Sequence, residues 1–222
     1  MLLASHQPWI KWSWVRQHLG LIRHDVWEHL LLTVLAVAIG LGIAALLAGL
    51  ARAWRPLAAP LLALCGVLYA IPSIALFALL VPITGFTTLT SEIGLVGYTL
   101  LILLRNVLVG LDAVPSEVRD AARGMGYGPV RMLLRVEFPL ALPTVFAGIR
   151  IATVTTIGLV TVTSLIGQGG LGRLLLDGFE IDFRTQVLVG TVLTVALAIV
   201  ADLALAGLQR IATPWSAIAR RS

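Results

Sequence analysis

Five apolar runs, residues 30–51, 57–83, 93–111, 140–166 and 187–211, leave this chain few ways to fold. Each reaches the roughly 20 residues that cross a hydrocarbon core at about 1.5 Å per residue. Lipid offers no water to complete backbone hydrogen bonds, so a run of this length closes them on itself as a helix, whereas an isolated strand would leave them unpaired. Composition agrees, with 59% of the 222 residues hydrophobic and only 12% charged, where a soluble domain carries about 25% charge. The expectation is an all-α integral membrane protein with about five transmembrane helices. No fixed-period repeat or low-complexity linker divides the chain. It reads as one bundle, 28–211, preceded by an arm, 1–27, and followed by a tail, 212–222.

The arm has a pattern of its own. Trp12, Val15, Leu19, Ile22 and Val26 recur at spacings of three and four, with Arg16, Gln17, Gly20, Arg23 and His24 on another side. This predicts an amphipathic helix lying at a membrane surface, with Trp9, Trp12, Trp14 and Trp27 as interfacial anchors. A cleaved signal peptide does not fit, because the first apolar run is too long and begins too late. The net charge of +5 comes almost wholly from arginine, Lys11 being the only lysine. The arginines stand at segment ends, which points to membrane lipid and away from nucleic acid as a partner.

Catalytic chemistry is not expected. The single Cys65 lies in an apolar run and excludes an intrachain disulfide, and no Cys/His cluster has metal-ligand spacing, so neither a metal nor another cofactor is called for. The chain has no Walker A sequence, no GxGxxG following a strand and no GxSxG, and its apolar runs hold no HExxH, Ser/His or paired-Asp arrangement.

The most informative stretch is the connector at about 112–139, where residues 120–139 read DAARGMGYGPVRMLLRVEFP. Asp120, Ala121 and Ala122 fall on a short helix that presents a charge beside small residues, Arg123 and Gly124 extend it, and Gly126 permits the turn out of it. Such a surface suits a docking partner. A plain amphipathic loop helix, with Arg119, Arg123, Arg131 and Arg135 solvated or at lipid headgroups, is the alternative. The order D-A-A, three residues, Gly126, nine residues, then Val136, Glu137, Phe138 and Pro139 resembles the cytoplasmic EAA loop of ABC importer permeases, with Asp120 in place of the usual glutamate.

Three further features ask for an explanation. In the second run, Pro72 and Pro82 remove backbone donors, which membrane helices tolerate where freed carbonyls line a cavity or meet a neighbour. The region of Tyr69, Ile71, Pro72 and Ser73 is therefore either a pathway wall or a helix kinked for packing. Gly167, Gly169, Gly170 and Gly172 put four glycines in six residues, allowing non-helical backbone and close approach. They read as a gate element leading into a short helix over 171–179, or as a plain loop. Arg105 and Arg150 lie within apolar runs, where a lone arginine costs about 2.5 to 3.5 kcal/mol. Arg105 precedes Asp112 by seven residues, two turns along one face, and Asp202 is an acid without an evident partner in the fifth run. A structural Arg–Asp pair that fixes helix register is favoured over substrate contact.

Three stretches are similar to the osmoprotectant permeases that serve glycine betaine, carnitine, choline or proline betaine: YAIPSIALFALLVPITG at 69–85, LLRNVLVGLDAVPSEVRDAARGMG at 103–126 and SLIGQGGLGRLLLDGF at 164–179. The resemblance covers roughly 28–211. Methionine-type permeases share the five-helix plan and a similar glycine-rich segment, but the RN followed by VxGL and the IPSIALF run favour the osmoprotectant group. The resemblance implies a MetI-like type I ABC permease fold and adds Asn106 to the pathway candidates. It also implies three kinds of partner: two ATP-binding cassette ATPase subunits docking at Asp120, a second permease chain, identical or similar, and an extracytoplasmic substrate-binding protein. In that last protein an aromatic cage would grip quaternary ammonium.

With the 112–139 loop cytoplasmic in a prokaryotic inner membrane, alternation puts nine arginines inside: Arg52, Arg55, Arg119, Arg123, Arg131, Arg135, Arg210, Arg220 and Arg221. Five basic residues fall outside, Lys11, Arg16, Arg23, Arg173 and Arg184, three of them in the arm. The balance follows the positive-inside rule. A membrane scaffold that recruits a partner without moving solute is the alternative of a different class.

Overall fold

The computed structural model describes residues 9–215, and every regular element among them is helical. In chain order these are α1 (Trp12–Gln17), α2 (Leu19–Ala53), α3 (Ala58–Ala70), α4 (Ser73–Thr84), α5 (Thr88–Asp112), α6 (Ser116–Gly124), α7 (Pro129–Met132), α8 (Phe138–Val160), α9 (Leu171–Glu180) and α10 (Arg184–Ala212). A π-helical turn, Leu133–Glu137, joins α7 to α8 without a break. Four of the described helices are long and apolar enough to cross a membrane: α2, α5, Pro129–Val160 and α10.

The fifth crossing is not a straight helix. Arg55–Ala70 and Ser73–Thr84 meet at 94°, because Ile71 and Pro72 take extended backbone at ψ 127° and 134°. Proline cannot donate the hydrogen bond that would carry the helix through, and it disfavours helical backbone in the residue before it. The carbonyl of Ile71, freed by the break, accepts a hydrogen bond from the Tyr98 hydroxyl of α5. Pro82, by contrast, lies inside α4 without ending it.

The N-terminal arm also differs from the expectation of a separate surface element. Only α1 is distinct, and α2 runs unbroken through the 27/28 boundary. Ile22 is buried with Leu171 and Leu174 of α9, and Val15 and Val26 pack against that cluster, while Trp12 and Leu19 of the same stripe stay exposed. The polar residues Arg16, Gln17, Gly20, Arg23 and His24 are exposed, whereas the neighbouring Asp25 and His29 are fully buried. His29 Nε2 lies 3.0 Å from the Ile157 carbonyl of α8.

The core is a three-helix contact of α2, α5 and α8, and small residues set its spacing. A Cβ on Gly40 would stand 2.0 Å from Thr99 Oγ1, and one on Gly148 would stand 2.5 Å from Asn106 Cβ. Ala44 and Ala48 of α2 and Ala141 and Ala152 of α8 are buried beside Leu103, Leu104 and Val107 of α5. Where lipid is as apolar as leucine, close backbone approach and dispersion are the available driving forces, and small residues permit both. The bundle thus has two ends. One carries α6 and α7, and the other carries the segment from Val162 to Glu180.

Candidate functional site

At the loop end the chain leaves α5, turns at Pro115 and enters α6. This helix is short and stops by a Schellman motif: Tyr127 N–H donates to the Ala122 carbonyl at 3.1 Å and Gly126 N–H to the Arg123 carbonyl at 2.9 Å. Gly126 holds φ +79° with open space where a side chain would be, so glycine is wanted there for its backbone and not for room. Ala122 is buried beneath the helix, whereas Ala121, Arg123 and Gly124 are exposed. Asp120 and Arg123 form an ion pair of 2.9 Å with both side chains about two-thirds exposed. Pro139 stands directly beyond the π-turn, near the start of α8, and offers no backbone donor to the turn before it.

What ties α6 to the bundle is a carboxylate outside the expected site residues. Glu137, 2% exposed, ends the π-turn. Its Oε1 is 2.5 Å from Arg52 Nη2 and 2.9 Å from Arg119 Nε, and Arg52 Nε donates to Oε2 at 3.2 Å. Arg119 Nη2 also donates to the Leu111 carbonyl at 2.6 Å, capping the end of α5. One buried anion therefore joins the end of α2, the helix α6 and the start of α8. A cavity of about 420 Å³ opens beside it, floored by Arg52, Met132 and Glu137 and rimmed by Arg123, Tyr127 and Val130.

The glycine end is built on backbone contact. Gly167 (φ +75°), Gly169 (φ +123°) and Gly170 (φ +46°) occupy the left-handed half of backbone space. A Cβ on Gly170 would lie 2.4 Å from the Asp25 carbonyl oxygen and 2.6 Å from His29 N, and one on Gly172 would lie 2.4 Å from the Thr161 carbonyl oxygen. The segment is pressed onto α2 and the end of α8, then continues as α9. Arg173 of α9 reaches Glu28 of α2 at 3.4 Å, and Thr88 of α5 donates to Gln168 Oε1 at 3.0 Å.

The other candidates fall apart into groups. Tyr69 is exposed, meets Tyr98 edge-on at 5.9 Å between ring centres, and lies beside the break formed by Ile71, Pro72 and Ser73. Asn106 is a packing residue of the α5–α8 contact, where it donates to the Ile102 carbonyl at 2.8 Å. Arg105 and Asp112 do not pair. Both are exposed, and Arg105 has no ion-pair partner among the described residues. Seven residues on one helix span about 10.5 Å, which exceeds ion-pair reach along the axis. The pair that forms runs between helices: Arg150 Nε and Nη2 each stand 2.7 Å from a carboxylate oxygen of Asp202. Arg220, Arg221 and the tail beyond residue 215 lie outside the described residues.

Residues 27–215 match the family model described as a binding-protein-dependent transport system inner membrane component. The chain is 38% identical over 200 residues to the osmoprotectant import permease protein OsmW of Salmonella typhimurium, covering 88% of this chain and 93% of that one. It is 31% identical over 195 residues to the choline transport system permease protein OpuBB of Bacillus subtilis, covering 88% and 90%. The fold is that of a chain in an inward-facing structure of the MetNI methionine ABC transporter, at a TM-score of 0.77, 24% identity, and coverage of 89% of this chain and 98% of that one.

Proposed function

The chain belongs to the binding-protein-dependent transport system inner membrane component family, and from that premise we propose that it is the membrane-spanning subunit of an ATP-driven importer for osmoprotectants of the glycine betaine, carnitine, choline and proline betaine class. The likeness to an osmoprotectant import permease over 93% of that relative supports the solute class. The mechanism rests on one observation: α6 presents an exposed Asp120–Arg123 edge outside the bundle while Arg119, on the same helix, grips the buried Glu137 that also holds α2 and α8.

In this reading the loop end is cytoplasmic, and a separate pair of ATPase subunits docks on α6 and the cavity beside it. Closure of the ATPase dimer moves α6. Arg119 carries the displacement through Glu137 into the ends of two spanning helices, and two permease chains then rotate about the solute path, past the break at Pro72. Hydrolysis resets the arrangement. The chain does no covalent chemistry, and selectivity resides in a substrate-binding protein seated on the glycine end.

The test is ATP-dependent uptake of labelled glycine betaine into proteoliposomes holding the permease, its ATPase and its binding protein, with choline, carnitine and methionine as competitors. Gly126→Trp is expected to abolish uptake while insertion into the membrane survives; normal uptake by that variant removes the coupling role of the loop. Competition by methionine alone moves the chain to another solute class, and failure of any ATPase to copurify returns it to the scaffold reading.

A further inference from the structure

The ion pair Arg150–Asp202 is in the wrong place for a mere clamp. Arg150 lies ten residues inside the Val160 end of α8 and Asp202 ten residues inside the Ala212 end of α10, so each is about 15 Å from the nearer helix end. An arginine stem does not reach from there to the end of its helix. Yet each side chain keeps 34% of its surface exposed, on a groove of about 660 Å³ between α8 and α10. Charges within apolar spanning helices turn toward a protein interior or a water-filled cavity and not toward hydrocarbon.

The pair also has capacity left. Among the described residues Arg150 uses Nε and Nη2 and makes no hydrogen bond through Nη1, while each oxygen of Asp202 accepts one bond and has room for a second. Around this dipole the groove walls are mostly aliphatic, with Ala147, Ile151, Val154, Ala198 and Leu203, and carry one hydroxyl, that of Thr155. An adjacent cation and anion between greasy walls complement a small solute that bears a carboxylate at one end and a bulky methylated cation at the other.

The geometry points to a transit subsite for a small zwitterion in this groove, with Arg150 receiving its carboxylate and Asp202 its cationic end. The inference rests on the osmoprotectant reading and gives that reading a place inside the permease. Among the described residues no aromatic ring lines the groove, so they supply none of the cation–π attraction that makes quaternary-ammonium sites tight. The contact is brief by construction, as a path that must release its solute requires.

Removing one charge alone would strand the other, so the decisive variant is the double replacement Arg150→Met with Asp202→Leu, which leaves no unpaired charge and suits the surrounding walls. In proteoliposomes with the ATPase and binding protein present, this variant is expected to assemble and to keep ATP hydrolysis stimulated by loaded binding protein. Glycine betaine taken up per ATP should fall at least about tenfold, the value of one charge-assisted contact. The exchange Arg150→Asp with Asp202→Arg keeps a pair but reverses its direction, and should lose uptake per ATP likewise.

Unchanged uptake per ATP in either folded variant overturns the subsite. So does loss of assembly or of hydrolysis together with uptake in both variants, which would make the pair a contact between helices or between permease chains. A wild-type complex that moves no betaine overturns the osmoprotectant reading and this inference together, whereas betaine transport indifferent to the pair overturns this inference alone.

Discussion

The two ends of the bundle hold irregular backbone by opposite means. At the loop end side chains do it, with one buried carboxylate, Glu137, gathering Arg52 and Arg119 from elements far apart in sequence. At the glycine end the absence of side chains does it, with Gly170 and Gly172 set so close to the backbone of α2 and of Thr161 that a methyl group would not fit. Charge holds at a distance and tolerates small displacements, while backbone contact is short-ranged and tolerates none. On the function proposed above, that difference fits a loop end that transmits movement from a partner and a glycine end that seals.

Substitutions can break that contrast. The largest expected effect is at the glycine end: Gly170→Ala adds a Cβ 2.4 Å from the Asp25 carbonyl oxygen at φ +46°, and overpacking with left-handed strain should cost about 3 kcal/mol or more. A marked drop in melting temperature in detergent is the readout, and an unchanged one would mean that the segment yields easily. Next comes Glu137→Ala, which leaves two arginines facing each other. Loss of one member of a buried pair costs about 3 to 5 kcal/mol, reduced here toward about 2 to 3 because both arginines retain some exposure. Restoring stability with the added change Arg52→Met would show that the cost is uncompensated charge and not a lost cavity filler.

The smallest effect on stability sharpens the comparison most. Asp120→Ala removes an ion pair exposed on both sides, worth about 0 to 1 kcal/mol, so the melting temperature should hardly move while stimulation of the ATPase falls. A variant that loses both equally would place Asp120 among the residues that hold the fold.

Much of this architecture was legible in the sequence because lipid makes simple demands. Apolar runs of sufficient length gave the spanning helices, Pro72 marked the break in the second, and Gly126, four residues past Ala122, marked the end of α6. The misses share a cause, namely polar residues whose partners lie far along the chain. Asp25 and His29, which no pattern in the sequence set apart, are buried where Gly170 meets α2. Arg105 and Asp112 invited pairing by proximity in sequence, whereas Arg150 found Asp202 on another helix. Glu137 did leave a signal: it is the only acid between Asp120 and Asp177, and it opens an apolar run where an uncompensated charge would be expensive. Counting residues could single it out, but only the fold could say that Arg52 and Arg119 answer it.

The π-turn at Leu133–Glu137 has a consequence for how the two parts of the molecule are aimed. A turn closed over five residues instead of four holds one residue more than the helix on either side requires, and one residue is about 100° of rotation. Everything before the turn, including α7 and through it the approach from α6, is thereby swung about a quarter of the way around the axis of α8. Deleting a single residue there would leave every side chain before the turn intact and point them in a different compass direction, away from Arg52. The bearing of the loop is written in a count of residues, and not in the identity of any one of them.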